Sequence, residues 1–163
     1  MKQLIAIPAG VNHPYDLFND YVIRVTTKET DDTFNVIAKC GLALEDHLQN
    51  NGMNTLYKDP SRYTLAGIIW KTPTDTFVNK NSLLIQTIRG DELIFPSINI
   101  NYNISWVVGH PRALIKWAAV CIDLNQPNVN PYHRFPKKLD QVCLPWLAHR
   151  IGLKVYGQDE INS

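Results

Sequence analysis

No stretch of this chain is apolar for long enough to cross a bilayer. The longest runs, such as Leu65 to Trp70, fall far short of the roughly 20 residues that a spanning helix needs. A secretory leader is not expected either. Met1-Lys2-Gln3 is followed by only four apolar residues, Leu4 to Ile7, before Pro8, whereas a signal core runs to roughly 7–15. Cysteine is scarce, and Cys40, Cys121 and Cys143 are odd in number and widely spaced, which argues against a disulfide framework. They read as reduced, buried, small apolar residues of a cytoplasmic protein. In that setting the sequon Asn103-Ile104-Ser105 is a chance match.

The familiar signatures of catalysis are missing as well. There is no Gly-x-Ser-x-Gly, no His-Glu-x-x-His, no phosphate-binding glycine loop and no dinucleotide fingerprint. Cys121, His133, Cys143 and His149 are residue types that suit zinc. They are separated by eleven, nine and five residues and lack the close cysteine pair of zinc modules. Glu45-Asp46-His47 are adjacent on a helix and so do not share a face. Of the carboxylate pairs, only Asp91-Glu92 sits beside a strand. A cysteine nucleophile paired with a distant histidine has no local signal. Neither a metal nor a cofactor is expected.

What is present is a globular composition. The 163 residues are 45% hydrophobic and 19% charged, with net charge +1 and sixteen aromatics. That combination excludes a disordered chain, and the length suits one domain able to bury roughly 70% of its unfolded surface. The expected domain is 1–157, followed by a polar, frayed tail at 158–163.

The pattern along the chain predicts mixed structure. Leu4 to Ile7 reads as a strand, and alternation of Tyr21, Ile23 and Val25 predicts another near 20–27. Phe34, Ile37, Gly41, Leu44 and Leu48 form a helical stripe over 33–51, with Asp32 as its cap and Asn50-Asn51-Gly52 as its stop. Phe34, Val36, Ala38 and Cys40 also alternate, so a strand paired with 20–27 is the competing reading for 33–41. Strands are expected at 63–71, 82–88, 92–100 and 104–108. Arg89-Gly90-Asp91 would be a tight hairpin turn rather than an adhesion tripeptide. Gly109-His110-Pro111 opens a helix through Leu124, because proline is favoured at the first helical position. A loop follows from Asn125 to Pro136, then a helix over 137–152 that Pro145 should kink or shorten. Leu139, Val142, Cys143, Trp146 and Leu147 would point inward. A short strand is expected at 154–156. The order predicts an α+β fold: a mostly antiparallel sheet, one N-terminal helix and two C-terminal helices packed on it.

Charge is uneven. Between Gly109 and Lys154 stand seven basic residues (Arg112, Lys116, Arg134, Lys137, Lys138, Arg150 and Lys154) against Asp123 and Asp140. Trp117, Tyr132, Phe135, Trp146, His110, His133 and His149 are interleaved with them. Tyr132-His133-Arg134-Phe135-Pro136-Lys137-Lys138 is the densest cluster and lies in a loop beside a helix start, where binding residues concentrate. Such a surface suits an anionic partner, either nucleic acid or an acidic protein face. Gly109-His110-Pro111-Arg112 is a second candidate, because a helix start presents free N–H groups and the positive dipole end.

Three functions follow. The first is a non-catalytic binding module using His110, Arg112, Tyr132, His133, Arg134, Phe135, Lys137, Lys138 and Arg150, with no membrane partner. The second is a small hydrolase or transferase on a phosphate-containing substrate, with His110 as acid or base and Arg112 holding the anion. The third is a subunit of a homo-oligomer with the C-terminal helices at the interface. The residue types favour the first over an enzyme.

Overall fold

The architecture comes from a computed structural model that describes residues 2–12, 21–50, 63–71, 87–98, 104–124 and 138–161. Within them the chain runs β1 (Lys2–Pro8), β2 (Tyr21–Val25), α1 (Thr33–Asn50), β3 (Tyr63–Ile69), β4 (Glu92–Phe95), β5 (Trp106–Gly109), α2 (Pro111–Leu124), α3 (Lys138–Arg150), β6 (Lys154–Gly157) and α4 (Gln158–Ile161). The six strands form one sheet in the order β2-β1-β3-β5-β4-β6. This is an α+β single-domain layout.

The sheet is mixed, not mostly antiparallel. β1 pairs in parallel with β2 and β3, and β4 with β6, while β5 runs antiparallel to both β3 and β4. Five strands therefore point one way and β5 alone opposes them. The sequence carries the physical reason. Leu4 to Ile7 and Leu65 to Ile69 are continuous runs without a polar side chain, and every one of these residues is buried. Strands buried on both faces are the mark of parallel pairing, which needs long crossovers instead of hairpins. β2 and β3, which point the same way, are joined across α1, and the chain passes from β4 to its parallel partner β6 through β5, α2 and α3.

The faces divide the core in two. Leu4, Ala6, Ala66, Ile68, Leu93, Phe95 and Val107 meet the three long helices. Ile5, Ile7, Leu65, Ile69, Ile94, Trp106 and Val108 form a second buried layer on the opposite face. The turn before β4 is closed by Glu92 N–H donating to the Arg89 carbonyl at 3.1 Å. Among the described residues β4 pairs with β5 on one side and β6 on the other. The expected strand at 82–88 lies largely outside the described residues.

The local signals at α1 are realised. The Asp32 side chain accepts the Asn35 N–H at 2.8 Å, and the Asp32 carbonyl accepts the Val36 N–H at 3.0 Å, which is N-cap geometry. Residues 33–41 are helix. Over residues 111–121 of α2, Arg112, Lys116 and Ala119 are exposed, Val120 is half-buried and the rest are buried. Its Trp117 is fully buried, donates from Nε1 to the Leu144 carbonyl at 2.9 Å, and packs edge-on to Phe95. That bond ties α2 to α3.

Pro145 does not shorten α3, which continues through it to Arg150. Two expectations fail in the C-terminal region. Trp146 does not point inward: it is 45% exposed, because Leu144, Leu147 and Ala148 supply the inward stripe at helical spacing. The tail from 158 is not frayed over its first residues. Gln158–Ile161 is a short helix, and Asp159 accepts a hydrogen bond from Ser97 Oγ at 2.7 Å.

Candidate anion-binding site

β5 delivers the chain to α2 at a tight point. A side chain at Gly109 would stand 2.8 Å from the Glu92 carbonyl and 2.5 Å from a Leu93 methyl, so only glycine passes beside β4 without a shift. His110 follows as the helix cap. Its carbonyl accepts the Leu114 N–H at 3.0 Å, and its Nδ1 accepts the Arg112 N–H at 3.2 Å. Pro111 has no N–H to satisfy. Ala113 N–H is then the first-turn donor for which no hydrogen bond is described.

α3 closes the other side. Its C-terminus turns through Gly152 at φ +90°, with Leu153 N–H bonded to the Ala148 carbonyl and Gly152 N–H to that of His149. This is a Schellman ending, which requires the left-handed backbone that glycine adopts freely. It drops Leu153 into the wall and starts β6, whose Lys154 N–H donates to the Asp91 carbonyl at 2.8 Å.

Between these elements lies a cavity of about 280 Å³ lined by Gly90, Asp91, His110, Arg112, Ala113, Lys116 and Leu153. Arg112 and Lys116 are exposed and one turn apart on the same face of α2. Among the described residues neither has an ion-pair partner; the pair that is described is Lys39 with Asp31. His110 is only 3% exposed. Burial, and then the Arg112 charge, hold its imidazole below the ordinary value of 6.5, so it is neutral at pH 7. With Nδ1 accepting, the proton sits on Nε2, which is buried and has no hydrogen-bond partner. Such a group costs about 1–3 kcal/mol.

The charges break two local rules of helix stability. Cations at a helix N-terminus oppose the dipole, and like charges one turn apart repel by about 0.2–0.5 kcal/mol. Both penalties would be relieved by an anion between Arg112, Lys116 and the first turn of α2. Sites where local rules fail are where function is expected to reside.

The expected site residues are only partly united. His110 and Arg112 line one cavity. Arg150 is not among its lining residues; it lies on the exposed face of α3 with its guanidinium 5.4 Å from the Trp146 ring centre. Tyr132, His133, Arg134, Phe135 and Lys137 lie outside the described residues, as does the side chain of Lys138. Asp91 and Leu153 carry no local signal that links them to α2. Lys116 could have been found from its spacing to Arg112. Glu92 is committed elsewhere, accepting the Arg89 N–H at 2.7 Å and the Tyr156 hydroxyl at 2.9 Å. Among the described residues no three metal-ligating side chains gather, and no helix is long and apolar enough to cross a membrane. No family model, curated protein or solved structure matches the chain.

Proposed function

We propose that the protein is a binding module that holds an anionic group of its partner at the start of α2. The observation that carries this reading is the side-chain pair Arg112 and Lys116 at the positive end of a helix beside the Ala113 N–H, all three without a partner among the described residues. Nucleic acids and acidic protein faces both carry groups that such a site would take, and so do small phosphorylated molecules. A binding role is preferred to catalysis because His110 Nδ1 is already spent on capping α2, which leaves Nε2 protonated, a donor rather than a base.

The test is a titration with inorganic phosphate, followed by amide shifts at Arg112 and Ala113 and by melting temperature. The folded protein should show saturable shifts at both amides and a raised melting temperature. Arg112→Glu with Lys116→Glu should abolish both responses while leaving the spectrum of a folded protein, because both side chains are exposed. Equal responses in that variant and in the parent chain would rule the site out.

A further inference from the structure

Resting on that reading of the site, we infer that its occupant is a small organic phosphomonoester carrying a hydroxyl or amino group that faces Asp91.

Size comes first. A cavity of about 280 Å³ lies at the small end of ligand pockets, which run to roughly 300–1,000 Å³. It accommodates one phosphate and a compact body. A polymer would need cations repeated along a groove to follow successive phosphates, and among the described residues only Arg112 and Lys116 supply cations to this wall.

Charge and donor number point the same way. Two fixed positive charges balance a phosphomonoester, which carries about −1.5 to −2 at neutral pH, better than a diester or a single carboxylate. Arg112 offers a planar fork and Lys116 a point charge. The Ala113 N–H and the proton on His110 Nε2 are further donors without described partners. Three phosphate oxygens can engage this set of donors, whereas a carboxylate has only two oxygens. The neutral state of His110 matters here, since its Nδ1 lone pair holds the Arg112 N–H and leaves Nε2–H as the donor.

Asp91 makes the rest specific. Its exposed carboxylate is on the same lining, where it would repel free phosphate. A carboxylate in that position is an acceptor, and it matches a hydroxyl or ammonium on the body of the occupant. Leu153 and Ala113 give that body an apolar contact.

The experiment measures the affinity of the full chain for inorganic phosphate, ribose, ribose 5-phosphate and an oligothymidylate by calorimetry. Ribose 5-phosphate should bind more tightly than inorganic phosphate, and ribose should not bind. Asp91→Asn should erase the advantage of the sugar phosphate, a loss on the order of tenfold, while inorganic phosphate binds as well or better. Arg112→Gln with Lys116→Gln should weaken both phosphates at least tenfold. If oligothymidylate binds through Arg112 and Lys116 and ribose 5-phosphate does not, the small-molecule inference falls and the anion site stands. If the sugar phosphate binds no better than phosphate, or Asp91→Asn changes nothing, the inference also falls. If the Arg112 and Lys116 substitutions leave every affinity unchanged, both the inference and the site are overturned.

Discussion

The imidazole of His110 caps α2 by accepting the backbone N–H of Arg112 on Nδ1, 3.2 Å away. The bond exists only while that nitrogen is unprotonated, so a cap, a charge state and the wall of the cavity are set by one side chain. Burial and the neighbouring Arg112 charge depress its pKa below 6.5 in the folded protein.

Stability should therefore depend on pH with a definite sign. Below about pH 6.5 the unfolded chain takes up a proton that the folded chain declines, so unfolding is favoured as pH falls. The contribution is complete above the unfolded value and is lost on acidification until the folded value is passed. His47 acts in the same direction, since burial lowers it against the opposing pull of Asp46. His110→Asn keeps a side-chain acceptor at the cap and should flatten part of the slope, leaving the share of His47. Urea unfolding at about pH 5.5 and about pH 7.5 measures it; an unchanged slope would contradict the assignment.

Gly41 of α1 is where that helix closes on α2. A Cβ at this position would overlap the Ala118 side chain. Gly41→Val should cost about 1–3 kcal/mol by overpacking. Gly41→Ala should be milder, and Ala118→Gly should recover part of its cost in the double variant. The coupling is read from a double-mutant cycle in denaturant. Additive losses would mean that the two residues do not share the contact.

The thiols of Cys40 and Cys121 should be inert in the folded protein. Both are fully buried. Burial pushes Cys40 up to about 12 and raises Cys121 as well, with the Asp32 charge adding to the second. The thiolate is the reactive form. Iodoacetamide at neutral pH should leave the peptides containing these two residues unlabelled until denaturant is added. Labelling of either in the native chain would show that its helix opens readily.

Much of the secondary structure was legible because its causes are local. Asp32 caps α1 through the next turn of its own chain, Pro111 starts α2 at the position that proline prefers, and Gly152 ends α3 in a conformation that glycine favours. The candidate site was half legible. His110 and Arg112 announce a helix start, but Asp91 and Leu153 reach it only because β4 and β6 pair beside that start. The dense basic and aromatic run from Tyr132 to Lys137 lies outside the described residues.

What the sequence determined alone is the helix or strand character of most described segments, with 33–41 left open and 158–161 missed, and that the chain has enough apolar residues for a two-sided core. Periodicity fixes which residues share a face of one element. It does not fix which element that face meets. The direction of β1, β2 and β3 was decided by hydrogen bonds between distant segments, and the continuous apolar runs were read as strands without their parallel implication. Trp146 faces out because packing selected Leu144, Leu147 and Ala148 for the inside of α3. The cavity at α2 exists because tertiary pairing sets the turn before β4 and the end of α3 against two uncompensated cations.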